Sequence, residues 1–393
     1  MLELGMMTEP NVVINSRGAE RLEAGHLWIF RSDVRSAQAA AGDVVRVRDE
    51  RGRFLGRAFY SDRSQITLRF LTRHDVPVDR AFFTERIRAA AAWRDRVVED
   101  TEAWRVVYGE GDLLPSLIVD RYGGYYVIQT LSQGSERRKM ELVEILVELF
   151  SPRGILERND PKSRVNEGLE QKVSVLYGEV PAEITAAING VRFHFDLHHG
   201  QKTGGFLDQR ENQRAAARLA RGEALDCFAY HGAFALTLAG RCQTVEAVDM
   251  SAAALAAGRR NVELNAAPNV TFREGNAFDV LKVYDDIGRK FDTIILDPPA
   301  FAKTRDAVPA ASRGYKEINL RSLKLLRPGG ILITCSCSHH VPESLFAEIL
   351  LEASRDVRAI TTVLERRTQG LDHPILLSVP ETYYLKCFIL RRL

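Results

Sequence analysis

The sequence predicts an α/β chain whose C-terminal half is a doubly wound, parallel sheet, preceded by a β-rich unit and a small α+β unit. Three observations carry this expectation. After about residue 190, short apolar runs alternate with helical runs. Between about 10 and 75, β-branched and aromatic residues alternate with arginines. The segment between them mixes both patterns, with no linker rich in Pro, Gly or Ser. At 393 residues, 45% hydrophobic and 27% charged, the chain is long enough for two or three cores. The expected units are 1–76, 77–188 and 189–393.

The first unit runs through "NVVINSRGAERLEAGHLWIFRSDV" and "DVVRVRDERGRFLGRAFYSDRSQITLRFL", with turns at "DERG" and "SDRS" and one short helix. Period-two alternation sends one row of side chains into a core and leaves the other on an open face. Eight arginines (Arg46, Arg48, Arg51, Arg53, Arg57, Arg63, Arg69, Arg73) stand against three acids between Val44 and Arg73. That is a local basic patch in a chain whose formal net charge is only +2. A solvated face explains it as well as a nucleic-acid contact does.

In the second unit, "AFFTERIRAAAAWRDRVVEDT" (81–101) predicts a helix. "LPSLIVDRYGGYYVIQTL" predicts two strands turning at Tyr122-Gly123-Gly124, and "SERRKMELVEILVELF" (135–150) has apolar residues at helical spacing. "QKVSVLYG" and "EITAAINGVRFHFDL" return to strands. In the third unit the strand candidates are "EALDCFAY", "TVEAVDM", "NVTFREG", "FDTIILDPP", "GGILITCSCS" and a final "YYLKCFILRRL". Helical runs such as "AAALAAGRRNVELN" and "YKEINLRSLKLL" separate them, as a parallel sheet covered on both faces requires.

Ligands of such a sheet bind outside the carboxyl ends of its strands. Asp226 ends the first strand and Gly232 turns the chain into a helix, without the G-x-G-x-x-G that admits a pyrophosphate. Asp249 ends the second, placed to accept from two ribose hydroxyls, and Ser251 opens the next helix. Asn276 and Ala277 follow the third, suited to an adenine edge and face. Asp297-Pro298-Pro299 and Phe301 follow the fourth, where two prolines lock an extended bend. Near the end of the fifth, "GGILITCSCSHHV" holds Cys335, Cys337, His339 and His340. These could be metal ligands, a redox pair, core residues or a nucleophile. Structural zinc expects paired C-x2-C loops that are missing here, so no metal is expected.

Five cysteines, no N-terminal signal-peptide core and no apolar run near the roughly 18 residues of a membrane span make a cytoplasmic protein with reduced thiols the expectation, with no membrane partner. Cys227, Cys242 and Cys387 are expected to be small buried hydrophobes.

In their order, Asp226, Asp249, Asn276 and the Asp-Pro-Pro at 297–299 resemble the successive motifs of class I S-adenosylmethionine-dependent methyltransferases. "HHGQKTGGFLDQRENQR" (198–214) resembles the signature that precedes the core in bacterial 23S rRNA cytosine-5 methyltransferases of the RlmI type. The resemblance covers nearly the whole chain: residues 10–75 look like that family's PUA domain and "YGEGDLLPSLIVDRYGGYYVIQ" like its central α+β domain.

The resemblance implies a Rossmann-like, mostly parallel seven-stranded sheet, S-adenosylmethionine as cofactor and 23S rRNA as partner. A homodimer is compatible with the sequence. It also implies that Gln201, Lys202, Thr203, Phe206, Asp208 and Gln209 form a lid and wall around the methionine end of the cofactor. Cofactor contacts are implied as well for Asp226, Phe228, Tyr230, Gly232, Asp249, Met250, Ser251, Asn276, Ala277, Asp297 and Pro298. One position departs: His231-Gly232-Ala233-Phe234 stands where the family has Thr-Gly-Gly-Phe, and a Cβ at Ala233 is expected to limit the backbone's approach to the cofactor.

Carbon 5 of cytosine is a poor nucleophile until a thiolate adds at carbon 6. By its resemblance to the family's Ser-Cys-Ser, and lying seven residues beyond Gly330, Cys337 is implied as that nucleophile, with Cys335 as packing. Asp297 would bind the N3 and exocyclic-amine edge of the base, and Phe301 or Tyr315 would stack on it once flipped. N-methylation of an exocyclic amine, and a non-catalytic ribosome-assembly role, are the alternative readings.

Overall fold

The computed structural model describes residues 9–393. The first eight residues, which the expected division assigns to the first unit and reads as carrying no signal-peptide core, lie outside the described residues.

The first sheet has six strands: β1 (Asn11–Ile14), β2 (Trp28–Phe30), β3 (Val34–Gln38), β4 (Val44–Asp49), β5 (Phe54–Tyr60) and β6 (Ile66–Thr72). Their order is β2-β6-β5-β4-β1-β3, with β1 and β4 parallel and the other neighbours antiparallel. The one helix, α1 (Ser16–Glu23), starts where Asn15 accepts from the Gly18 N–H at 2.9 Å. Val12, Ile14, Leu22, Ile29, Val45, Val47, Leu68 and Phe70 fill the core.

The open row of arginines is not the free basic patch that alternation suggests. Arg46 and Arg57 both pair with Glu9 and Asp75, and Arg53 pairs with Asp49 and Glu23. Arg69 is buried against Glu167 of the second unit. Acids distant in sequence thus pair four of the eight, while Arg48, Arg51, Arg63 and Arg73 are exposed and form no ion pair among the described residues.

The second sheet follows α2 (Arg80–Val97) and contains β7 (Ala103–Tyr108), β8 (Leu117–Tyr122), β9 (Tyr125–Thr130), β10 (Gly154–Asn159) and β11 (Lys172–Gly178), in the order β11-β10-β9-β8-β7. The single helix expected over 135–150 is two, α3 (Gln133–Arg137) and α4 (Lys139–Phe150), because Arg138 leaves helical geometry. Strand β10 escaped the apolar pattern because its polar half is buried. Glu157 pairs with Lys139, Arg158 donates to the Leu197 carbonyl, and the Asn159 Oδ1 accepts from the Thr130 N–H.

A hairpin, β12 (Ile184–Ile188) and β13 (Val191–Phe195), comes next, and the expected boundary at 188/189 falls in its turn. Ile184, Phe193 and Phe195 belong to one core with Tyr122 and Leu156 of the second unit and with Ile295 and Ile333 of the third.

The third sheet has seven strands: β14 (Glu223–Cys227), β15 (Thr244–Asp249), β16 (Val270–Glu274), β17 (Phe291–Leu296), β18 (Leu326–Ser336), β19 (Thr361–Arg367) and β20 (Lys386–Arg392). The order is β16-β15-β14-β17-β18-β20-β19, and only β20 runs antiparallel to its neighbours. This is the mostly parallel, seven-stranded, Rossmann-like sheet that the resemblance implies. Helices α5 (Arg210–Leu219), α6 (Ala233–Leu238), α7 (Ala252–Leu264), α8 (Ala277–Asp286), α9 (Val308–Leu325) and α10 (Glu343–Asp356) cover it.

Alternation within strands splits the apolar side chains between two cores. Ile295, Ile333 and Cys335 enter one, and Leu296, Leu332 and Phe388 the other. The order reverses between β14 and β17, so their carboxyl ends open the crevice in which such sheets bind ligands. Among the described residues no helix is long and apolar enough to cross a membrane.

Candidate active site

A cavity of about 680 Å³ lies at that crevice, within the size range of small-molecule sites. Gln201, Lys202, Phe206, Asp208 and Gln209 wall it from the segment before α5. Phe228, Tyr230, Asp249, Met250, Asn276 and Ala277 line it from the ends of β14, β15 and β16, and Asp297, Pro298 and Cys337 from the ends of β17 and β18.

Four implied contacts stand behind this wall. Buried Thr203 donates to Asp120 Oδ2 at 2.5 Å and bonds the Tyr122 hydroxyl at 3.1 Å, so it anchors the 201–209 segment to the second unit. Asp226 is buried beneath the floor, where its Oδ2 accepts from the Ala235 N–H at 3.0 Å. Gly232 has φ +86°, and a Cβ there would meet the Phe272 ring at 2.5 Å. Ser251 caps α7 by accepting from the Ala254 N–H.

Ala233 lines the cavity and does not need the positive φ that its Cβ would disfavour. It is the first residue of α6, and the left-handed turns fall at Phe228, Tyr230 and Gly232.

Local hydrogen bonds hold the strand-end side chains in place. Asp249 accepts from the Tyr230 N–H at 2.8 Å and from the Ser251 N–H at 2.9 Å. Asn276 caps α8 through the Phe278 N–H at 2.9 Å. Gln209 Nε2 donates to Asp297 Oδ1 at 2.8 Å. Asp208 Oδ2 receives Lys202 Nζ at 2.6 Å and the Tyr384 hydroxyl at 2.5 Å, while its Oδ1 is buried without a partner.

These surroundings divide the acids. Burial alone would raise Asp208, but Lys202, His373 and Tyr384 hold it well below the usual carboxylate range. Burial, and then the charge of Asp208, push Asp297 up to about 7. Burial and Asp297 raise Asp226 well above its ordinary value. One permanently charged carboxylate thus sits near one poised at neutral pH.

The two cysteines of β18 and its end separate. Cys335 is fully buried in the apolar core, facing Cys387 across the β18–β20 pair. Cys337 reaches the cavity with its Sγ 3.7 Å from the Pro298 carbonyl, and burial followed by the Asp297 charge pushes its thiol up to about 11. Cys227, Cys242 and Cys387 are buried and free.

Tyr315 does not face the cavity. It is fully buried, with its hydroxyl 2.9 Å from the Ser338 Oγ, and Phe301 lies between it and the cavity at a ring separation of 4.6 Å. Among the described residues no group of three or more His, Cys, Asp or Glu side chains could hold a metal.

Sequence reasoning missed Tyr384, Leu385 and Lys386, because "YYLKCFILRRL" reads only as a final strand. Tyr384 and Leu385 line the cavity, and buried Lys386 donates to the carbonyls of Ser338 (2.7 Å) and Tyr384 (2.9 Å). A lysine opening an otherwise apolar run was the available signal.

Comparison with known proteins adds to this geometry. A family model described as a PUA-like domain matches residues 12–73, and one described as an S-adenosylmethionine-dependent methyltransferase matches residues 168–377. The chain is 40% identical over 377 residues to ribosomal RNA large subunit methyltransferase I of Tolumonas auensis, covering 93% of this chain and 95% of that one. It is 39% identical to the protein of that name from Shewanella frigidimarina, covering 95% and 97%. In fold it is similar to a candidate SAM-dependent methyltransferase from Streptococcus mutans, with TM-score 0.82, 21% identity and coverage of 97% and 99%.

Proposed function

The chain belongs to the family of S-adenosylmethionine-dependent methyltransferases that includes ribosomal RNA large subunit methyltransferase I, and on that premise we propose that it methylates carbon 5 of a cytosine in 23S ribosomal RNA. Cys337 carries the choice of carbon 5: it is the cysteine that reaches the cavity, and it does so beside Asp297 and Pro298.

The cavity suits S-adenosylmethionine. The unpartnered Oδ1 of Asp208 would take its ammonium group, Asp249 its ribose hydroxyls, and Asn276 and Ala277 its adenine. Bound there, the cofactor supplies an electrophilic methyl group on a sulfonium.

The residues around the base then have distinct tasks. Cys337 gives its proton to water and its sulfur bonds to carbon 6, opening the 5,6 double bond and moving electron density toward N3 and carbon 5. Asp297, poised at about 7, is protonated in a sizeable fraction of molecules at neutral pH and donates to N3 as that density arrives. Carbon 5 takes the methyl group and passes its proton to water; the carbon 6–sulfur bond breaks with its electrons on sulfur, N3 returns its proton to Asp297, and the ring and Cys337 are restored.

Bisulfite sequencing of ribosomal RNA from cells with and without the protein tests the product. Cys337→Ala is expected to abolish 5-methylcytosine while retaining cofactor binding, and Cys335→Ala to retain activity. Full activity of Cys337→Ala would overturn the covalent route.

A second reading, methylation of an exocyclic amine held by Asp297 and the Pro298 carbonyl, draws support from the protonated state of the Cys337 thiol. Mass spectrometry of nucleosides separates the two, since the missing product would be an N-methylated base.

A further inference from the structure

Arg46, Arg53, Arg57 and Arg69 of the first unit are held in ion pairs, so a polyanion draws on cations besides these. The segment after Phe301 supplies them. Lys303, Arg305 and Arg313 are exposed, and none joins an ion pair or a side-chain hydrogen bond among the described residues. Their neighbours on α9 behave differently: Lys316 pairs with Glu352 and Asp356, and Arg321 with Glu317. Asp306 is the one acid between 303 and 313, so the segment keeps a positive excess.

Geometry ties these cations to the cavity. Phe301 lines the cavity, and Lys303 and Arg305 follow it within four residues. The chain then folds back: a Cβ on Gly314 would lie 3.4 Å from the Phe301 ring, so the backbone adjoining Arg313 returns to that aromatic side chain. Both ends of the loop therefore meet at Phe301.

We propose that Lys303, Arg305 and Arg313 form a phosphate-binding rim that holds the RNA backbone flanking the target base at the mouth of the cavity, beside Phe301. The proposal rests on the RNA reading above and adds the surface that recognises the strand. Its chemistry is that of cationic grips on single-stranded nucleic acid: unpaired cations track the phosphates while an aromatic face takes a base.

The test is filter binding of the full chain to 23S ribosomal RNA transcribed in vitro, across a series of salt concentrations. The triple variant Lys303→Gln, Arg305→Gln, Arg313→Gln removes three contacts. With a slope of about 0.7 per phosphate on single strands, the plot of log affinity against log salt should flatten by about 2, and affinity near physiological salt should fall by about 50-fold. Cofactor affinity and melting temperature should not change.

Arg355 and Arg358 make a control, because they stand at the C-terminal end of α10 and just beyond it, before the amino end of β19 and away from the carboxyl ends that form the cavity, and both are exposed. Changing both to Gln should leave RNA affinity close to the parent's. Equal affinity and salt slope for parent and triple variant would overturn the rim, as would an equal loss in the control. If the parent itself neither binds nor methylates the RNA, the functional reading fails and the rim with it. If the parent does both and the triple variant matches it, only the rim fails.

Discussion

Gln209 donates from Nε2 to Asp297 Oδ1 at 2.8 Å, joining the segment that precedes the third sheet to the corner that ends its central strand β17. That hydrogen bond favours the charged form of Asp297 and opposes the burial that pushes it up to about 7. Gln209→Leu should therefore move the Asp297 titration to still higher pH. Carbon-13 NMR of aspartate-labelled protein, with Asp297→Asn to assign the resonance, reads this directly; a fall in the midpoint would contradict the arrangement.

Asp297 also acts on Cys337, whose thiol titrates at about 11 because of burial first and the Asp297 charge second. Asp297→Asn removes the charge and should lower that value. The rate of Cys337 alkylation by iodoacetamide, followed by peptide mass spectrometry as a function of pH, should then rise at pH 8 to 9. An unchanged profile would mean the two groups do not sense each other.

Stability should carry the same signature. Asp297 is raised from 3.8 to about 7, so between those values the folded protein binds a proton that the unfolded chain has released. Stability contributed by this site is present below about pH 4 and is lost as pH rises toward 7. Asp226, also raised, acts in the same sense, whereas lowered Asp208 and Asp372 lose their contribution only in more acidic solution. Urea denaturation at pH 5 and pH 7.5 should show a smaller decline for Asp297→Asn than for the parent.

Thr203 and Asp120 give a prediction about support rather than contact. Asp120 is fully buried, bidentate with Arg105 at 2.7 and 2.8 Å, and receives Thr203. Asp120→Ala leaves the guanidinium buried without its partner and should cost about 3 to 5 kcal/mol. Thr203→Val loses a hydrogen bond to a charged acceptor and should cost about 1.5 to 3 kcal/mol. Although Thr203 does not touch the cavity, its loss should weaken cofactor binding by loosening Gln201 and Lys202. Calorimetric titration with S-adenosylmethionine, at temperatures where the variant is folded, checks this.

The parts of the molecule that could be read in the chain are those whose burial follows from apolar side chains. The alternating strands and helices after residue 190, and the strand-end acids Asp226, Asp249 and Asp297, follow from local pattern. Polar burial was not legible. Glu157, Arg158 and Asn159 form half of β10 yet look like loop, because their partners Lys139, Leu197 and Thr130 lie at least eighteen residues away. Arg46, Arg57 and Arg69 looked free for the same reason, with Glu9, Asp75 and Glu167 out of the local window.

By itself, then, the sequence determined six of the seven strands of the third sheet, the order of residues at their ends, and that a cysteine follows the fifth of them. Periodicity encodes those features, since a strand or helix places its own neighbours. Only the tertiary structure decided that Asp208 and Asp249 line the cavity while Asp226 lies beneath it, that Cys337 reaches the cavity while Cys335 packs in the core, and that Asp297 is poised near neutrality. Those outcomes depend on desolvation and on charges brought together from distant segments, and both exist only once the chain has folded.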